Sequence, residues 1–435
     1  MTGRVNRRSF LRQSVPGAAA LSPAAALQGG SRTLRVGFVG VGDRGSFHMD
    51  TLLGMEGIEV PAICDINPDY LYRAKRWVEE AKRPSPRLYD RGPTDFLRLC
   101  EKEELDLVVT STPWEWHAPV CLAAMRSGKH VATEVPAAYT VEDCWSLVET
   151  SEKTGKQCVM LEQANYSENG LTVLEMARKG VFGELLYATG GYVHDLRLVK
   201  FDPEREPWRL QHSVDRNGNL YPTHPMGPMA WWLDVNRGDR FEYLVSASTK
   251  GVCINEYAGM YFGARHPYAG MKVTQGDGNL TMLRTADGKV AVLYYDTNTP
   301  HPQTSDLRLQ GTKGHFSGNL ESVYIEGRSP KPHAWEPLSN YATEFQSPLY
   351  RGLDPKKYRT ARGHGGGVTT AMMWERLIRA IRSGTEFEQN VYDAVTWSVI
   401  SPLTERSVEG KGRPVEFPDF TRGRWKTTPP ITLTA

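Results

Sequence analysis

Six cysteines in 435 residues stand singly, at positions 64, 100, 121, 144, 158 and 253, with no C-x-x-C and no cysteine-histidine spacing of the kind that holds zinc. In mostly apolar company they read as buried thiols. The eleven histidines form no H-x-x-x-H pair or other ligand spacing, so no catalytic metal is expected. No uninterrupted apolar stretch reaches the length of a membrane-spanning helix. An excess of one charge is missing too. The formal +2 is owed to Arg4, Arg7, Arg8 and Arg12, in an opening segment without a single acidic residue. The remaining body is near neutral with its charges dispersed, which gives no footprint for nucleic acid or an anionic membrane. There is no internal repeat, and no low-complexity tract beyond the first thirty residues. With 40% hydrophobic and 23% charged residues, what is left is an ordinary globular chain long enough for two or three domains.

The strongest local pattern is LRVGFVGVGDRG, residues 34–45, where an apolar run breaks into Gly40, Gly42 and Gly45 at the spacing G-x-G-x-x-G. This is a dinucleotide-binding fingerprint. The run predicts a buried strand and Gly40 the tight turn. Gly42 would let backbone approach a pyrophosphate, and Gly45 would let the next helix pack closely on the strand. Asp43 and Arg44 open that helix, whose free N–H groups suit phosphate. A second apolar run, residues 58–63, ends in Cys64 and Asp65, which places a carboxylate for the ribose hydroxyls and favours NAD over NADP. Further alternation follows, with helices at 68–82, 95–103 and 118–127 and strands at 105–110 and 129–133. Loops at the carboxyl ends of parallel strands carry ligands, so Thr112, Trp114, His117 and Glu134 are expected to border the nicotinamide. His117 serves either there or as a decoration of the helix start.

Before all this, NRRSFLR at residues 6–12 precedes a short alanine-rich apolar stretch, 15–27, interrupted by Pro16 and Pro23. Ala24-Ala25-Ala26 meets the small-residue rule for cleavage, with Ala18-Ala19-Ala20 as a second candidate. The pattern resembles a twin-arginine export signal, which makes residues 1–30 a leader and the mature protein periplasmic or otherwise exported. Such export carries folded proteins, which agrees with a nucleotide acquired in the cytoplasm.

The segment STPxxxHAPVCLAAMRSGKHVATEVP, residues 111–136, resembles the Gfo/Idh/MocA oxidoreductases. That family usually has E-K-P at the end of this segment, and its lysine transfers protons in sugar and inositol dehydrogenases. Here Val135 stands in its place, a departure from ordinary dehydrogenase chemistry.

From residue 159 the period changes. A helix at 171–179 is followed by strand-like runs at 184–193, 243–250, 271–283, 290–296 and 305–311 without helices between them, which predicts a mostly antiparallel sheet. Residues 368–382 and 391–405 read as helices again. The fold class expected is therefore α/β: a Rossmann doubly wound parallel sheet over 32–160, then an α+β domain with a large, mostly antiparallel sheet over 161–435.

Within this half ExxNY (162–166), WRL (208–210), YPTHPMGP (221–228), LDVNRGDR (233–240) and GHGGG (363–367) resemble glycoside hydrolase family 109. Its best-known members are NAD-dependent alpha-N-acetylgalactosaminidases. The resemblance implies Glu134, Tyr166, Arg209, Tyr221 and His224 at a sugar site. Near His301 the family tends to show P-x-P-Y, whereas Pro302 is followed here by Gln303, a departure that leaves N-acetylgalactosamine specificity an open question for this chain. Relatives with such a sheet often associate through its open face, so a homo-oligomer is implied.

A glycosidase normally needs two carboxylates flanking the bond, and no such pair stands out. NAD offers another route: oxidation at sugar C3 acidifies C2–H, the aglycone is eliminated, water adds at C1 and the hydride returns. Candidate bases for that cycle are His224 and Tyr166, the latter only if a neighbouring positive charge lowers its pKa. Arg209 and Glu134 would grip hydroxyls, Trp208 and Tyr221 would pack on a ring face, and His364 would start a helix that could face a polar ligand. The first expectation is thus an exported NAD-dependent glycosidase acting on a small glycoside. A net sugar or polyol oxidoreductase and a noncatalytic sugar-binding protein that keeps NAD are the alternatives.

Overall fold

The computed structural model describes residues 32–354 and 367–434. His364 and the leader lie outside the described residues. The first part alternates strand and helix: β1 (Leu34–Val39), α1 (Asp43–Leu53), β2 (Ile58–Cys64), α2 (Pro68–Glu80), β3 (Arg87–Tyr89), α3 (Phe96–Lys102), β4 (Leu107–Thr110), α4 (Trp114–Arg126), β5 (His130–Thr133), α5 (Val141–Thr154) and β6 (Cys158–Met160). The strands form one parallel sheet in the order β3-β2-β1-β4-β5-β6. Every residue of β4 is buried, as an unbroken apolar run must be when helices cover both faces. The strand order reverses between β1 and β4, and the crevice beyond their carboxyl ends is where such sheets take ligands.

The second part contains α6 (Glu168–Arg178), β7 (Leu185–Val193), α7 (Arg197–Phe201), α8 (Trp208–Asp215), α9 (Thr223–Trp232), β8 (Phe241–Ser248) and α10 (Cys253–Phe262). There follow β9 (Gly278–Thr285), β10 (Val290–Asp296), β11 (Arg308–Gly311), β12 (Gly314–Ser317), β13 (Ser322–Ile325), β14 (Glu336–Pro337) and, near the end, β15 (Val415–Glu416). They make a sheet in the order β14-β13-β12-β11-β7-β10-β9-β8-β15. Only β7 and β10 run parallel among the described pairs. This sheet has one covered and one open face. Along β9, Asn279, Thr281, Leu283 and Thr285 are buried while Leu280 and Met282 face solvent.

Helices at Gly367–Ser383, Val391–Ser398 and Ile400–Glu409 bring the chain back onto the first part. Ser398 accepts from the Ala137 N–H at 2.9 Å, and buried side chains of both parts merge in one apolar core. Three expectations differ. The strand runs were expected without helices between them, but α7, α8 and α9 stand between β7 and β8, and α10 between β8 and β9. The run 271–283 becomes a strand only from Gly278, because residues 274 and 275 are bonded elsewhere: their N–H groups donate to the Val214 and Ser213 carbonyls on α8. The helix expected over 391–405 is two helices, and Pro402 offers no N–H to a continuous ladder. Among the described residues no helix is long and apolar enough to cross a membrane, and no three His, Cys, Asp or Glu side chains are placed to hold a metal.

Candidate active site

The glycine turn is fixed by contact. Gly40 has φ of 81°, and a Cβ there would lie 2.9 Å from the Ser111 carbonyl oxygen. A Cβ on Gly45 would fall 2.0 Å from the Gly40 oxygen. Gly42 caps α1 with no side-chain bond, and its open side meets only the Tyr70 ring. Asp65 holds the turn from below, accepting from Val41 N–H at 2.7 Å and Asn67 N–H at 2.8 Å. Burial leaves its pKa raised despite those bonds. Ser111 Oγ and both amide atoms of Asn165 are buried without protein partners. An uncapped helix start, a side-chain-free turn and orphaned polar atoms fit a dinucleotide. Gly40, Gly42, Asp43, Arg44, Gly45 and Asp65 surround that position as the motif requires.

Glu134, just past β5, is held within the first part, and its partner His48 links to the later helices. Its Oε1 takes Arg44 Nε at 2.9 Å and His48 Nε2 at 2.7 Å, and its Oε2 takes the Val135 N–H at 3.1 Å. Trp374 donates its indole N–H to His48 Nδ1 at 3.0 Å. An indole nitrogen only donates, so His48 must carry its own hydrogen on Nε2 and point it at Glu134. Burial holds the His48 pKa down and keeps the ring neutral. Burial would raise Glu134, but Arg44 and His48 outweigh it and hold the carboxyl well below its usual range. The carboxylate expected on both cofactor and sugar thus anchors Arg44 first.

His117 resolves to a structural part. It is buried, with Nδ1 2.7 Å from the Pro136 carbonyl and Nε2 2.7 Å from that of Thr112. It fastens the loop after β4 to the one after β5. Trp114, also buried, turns toward the second part and stacks on Tyr221 with ring centroids 5.4 Å apart.

Opposite lies an aromatic box. Arg209 on α8 sits within 5.0 Å of the centres of Trp114, Trp208 and Tyr221 and pairs with Glu206. Tyr221 also meets Tyr192 of β7 at 4.7 Å and His224 at 5.1 Å. His224 stands in the first turn of α9. Gly227, one turn on, lets this helix settle: a Cβ there would reach 2.3 Å from Asn165 Oδ1. His224 Nδ1 lies 2.8 Å from Oε1 of the fully buried Glu162, which the Ala164 N–H also steadies at 3.1 Å. A carboxylate only accepts, so Nδ1 carries the hydrogen and Nε2 of the neutral ring is left with its lone pair. With 22% of its side chain exposed, this imidazole is arranged as a base held by an acid.

Tyr166 does not join it as a base. Its hydroxyl donates to Glu388 at 2.8 Å, and Glu388 in turn pairs with Arg376. Burial and the Glu388 carboxylate push the phenol well above its ordinary pKa, and the Arg376 charge does not reverse this. The condition set for Tyr166 fails: its side chain is fully buried and its hydroxyl is held by Glu388. The sequence reading also missed four residues, His48 above among them. Tyr192 and Glu162 come together with the site only through packing, although Glu162 closes β6 much as Glu134 closes β5. Lys200, buried on α7, donates to Ser213 (3.0 Å), Thr297 (2.9 Å) and Asn298 (2.6 Å) without a carboxylate partner, and burial with Arg209 nearby lowers its pKa to about 7. His301 lies 3.6 Å from Asp296, and Gln303 is exposed.

The same division emerges from comparison with known proteins. A family model described as "Oxidoreductase family, NAD-binding Rossmann fold" matches residues 34–162, and one described as "Glycosyl hydrolase 109, C-terminal domain" matches residues 166–427. Glycosyl hydrolase family 109 proteins of Shewanella putrefaciens and Shewanella baltica are each 40% identical over 405 residues, covering 92% of this chain and 88% of theirs. In fold, the chain resembles levoglucosan dehydrogenase solved with NADH and levoglucosan (TM-score 0.69, 20% identity, 89% of this chain and 100% of that one). It also resembles myo-inositol 2-dehydrogenase from Lactobacillus plantarum (TM-score 0.63, 14% identity, 88% and 99%). A glycine turn fit for NAD, set against the family's own second domain, makes this chain a member of glycosyl hydrolase family 109, an NAD-dependent enzyme of the glycoside hydrolase or oxidoreductase type.

Proposed function

We propose that the protein is an exported glycosidase that cleaves a small glycoside through transient oxidation at C3, elimination across C1–C2, addition of water and re-reduction. The observation that carries this reading is His224, oriented by Glu162 inside an aromatic box that faces the nucleotide turn. NAD, held by the Gly40–Gly45 turn, Asp65 and the polar groups at Ser111, Thr112 and Asn165, would supply a hydride acceptor and return the hydride within one cycle. His224 takes a proton from the sugar, and Glu162 steadies the imidazolium that results. Arg209 and Tyr221 hold hydroxyls, and the stacked rings exclude water. Direct displacement by two carboxylates finds little support, because Glu134 and Glu162 are both engaged.

The dehydrogenase alternative would use a proton-transfer side chain where Val135 stands buried. Export rests on the NRRSFLR segment. Self-association rests on the open sheet face, where Tyr187, Leu280 and Met282 are exposed. The test of the reaction is incubation of the purified protein with a panel of glycosides and no added cofactor. Aglycone release without accumulation of reduced cofactor is expected. Accumulated reduced cofactor with an oxidised sugar would establish net oxidation instead.

A further inference from the structure

Strands β8 and β9 are antiparallel neighbours, with Ser248 opposite Asn279. A turn of a few residues would join them, yet residues 249–277 leave the sheet in a long excursion. Its base is closed by Asp277, which accepts from the N–H groups of Val252 (2.9 Å) and Cys253 (3.1 Å) at the start of α10. Its outer end shows Met260, Tyr261 and Phe262 to solvent, at 76%, 64% and 49% exposure. Long connections that hold such surface in water are usually functional.

The rings on it touch in a chain. Tyr257 meets Tyr261 at 4.4 Å and Phe201 of α7 at 5.5 Å, Phe201 stacks on Phe262 at 5.2 Å, and Phe262 meets His266 at 5.2 Å. Arg197, gripped in two bonds by Asp195, lies 5.0 Å above Tyr257. The platform is therefore edged with phenol hydroxyls, an imidazole and a guanidinium, and the exposed charges on it, Glu256, Arg265 and Lys272, are of both signs.

Sheet register ties the platform to the cleft. Asp296 of β10 pairs with Gly278 of β9 on one side and Val193 of β7 on the other. The excursion thus returns two strands, about 10 Å, from the end of β7 that carries Tyr192. The returning chain is bonded to α8 at Val214 and Ser213, one turn from Arg209.

We propose that this aromatic platform is an outer carbohydrate subsite, binding the sugar rings of an oligosaccharide beyond the residue whose bond is cleaved. The proposal rests on the glycosidase reading for its orientation. Sugar rings offer C–H faces rimmed by hydroxyls, and tyrosine and phenylalanine faces with polar edges match both. A bilayer surface calls for a basic rim, which the mixed charges do not provide. A second copy calls for a core free of charges, whereas the exposed apolar side chains of this stretch, Met260, Tyr261, Phe262 and Met271, alternate along the chain with Glu256, Arg265 and Lys272.

The test is affinity electrophoresis of the holoenzyme in gels containing mucin or hydroxyethyl cellulose, against a plain gel. Wild type should be retarded in at least one, and Tyr261→Ala/Phe262→Ala should bind about tenfold more weakly, with bound NAD and Tm unchanged. His224→Ala should be retarded like wild type, so that binding is read apart from catalysis and survives a failure of the proposed reaction. On a glycoside with a small nitrophenyl leaving group the double variant should keep wild-type kcat/KM. Retardation absent in both gels, or equal for wild type and the double variant, overturns the proposal. So does a double variant that turns a dimer into a monomer in sedimentation, or that loses flotation with phosphatidylglycerol vesicles, since the patch would then serve a second copy or a membrane.

Discussion

The two sheets of this molecule do different kinds of work. In the parallel sheet the ligand-facing groups are largely backbone: a turn kept free of side chains by Gly40, Gly42 and Gly45, an uncapped helix start, and strand ends at Ser111 and Glu134. In the nine-stranded half the working groups are side chains, and apart from the neighbours Trp208 and Arg209 on α8 they come from different places along the chain. Tyr192 comes from β7, Arg209 from α8 and His224 from α9, while the acid that orients His224 belongs to the end of β6 in the other sheet. A backbone site tolerates sequence change wherever geometry is kept. A side-chain site concentrates its chemistry in a few atoms.

The largest expected effect follows from that concentration. His224→Ala should lower turnover by about a hundred- to ten-thousandfold, the usual range for a general base, while the purified protein keeps its NAD. In wild type, a substrate deuterated at C2 should exchange label with solvent during turnover. Product that retains all its deuterium, or a variant that turns over normally, would remove His224 from the chemistry and break the contrast between the two halves.

An intermediate effect is expected at Asp65. Its two oxygens each accept a backbone N–H, so Asp65→Asn turns an amide N–H toward one of those donors and leaves it unpaired. A buried unpaired donor costs about 1–3 kcal/mol; in apo-protein the turn relaxes to avoid that cost, and binding must restore it, so NAD should be held up to roughly five- to 150-fold more weakly. The preference over NADP should narrow as well, because the carboxylate that repels a 2'-phosphate is gone. Titration of refolded apo-protein with both nucleotides reads this directly. An unchanged NAD affinity would mean that the turn holds its shape without Asp65.

The same contrast explains what was legible in the sequence. Gly40 to Asp65 could be read because spacing along one strand-turn-helix unit sets the geometry. The alternation of the second sheet could be read too, except where residues 274 and 275 bond to α8 instead of a strand partner, and where the strands β12 to β14 are too short to show a period. Side-chain roles were legible only where they are local. The assignment of Tyr166 as a base failed because burial, together with Glu388 from 222 positions later, holds its phenol well above the ordinary pKa. Glu162 was passed over because His224, 62 positions later, gives it a purpose. His48 stayed invisible for the same reason: its partner Trp374 is 326 positions away.

The smallest effect on turnover is expected at Lys200, and it sharpens the comparison through stability instead. This ammonium is buried among Ser213, Thr297 and Asn298, and burial first, then Arg209, lowers its pKa to about 7 against the opposing pull of Asp296, Asp277 and Asp195. In the unfolded chain a lysine keeps its proton up to about pH 10.4. Below pH 7 both states are protonated and the folded state carries the full penalty of the buried charge. Between about 7 and 10.4 the unfolded state binds more protons than the native one, so stability must rise with pH, by at most about 1.4 kcal/mol per unit. Lys200→Met lacks this titration. The stability of wild type relative to Lys200→Met, measured by denaturant unfolding at a series of pH values, should therefore be flat below pH 7 and climb in favour of wild type above it. Parallel curves for the two proteins across that window would show that Lys200 stays charged in the folded state. The wall behind Arg209 would then be built on a permanent cation.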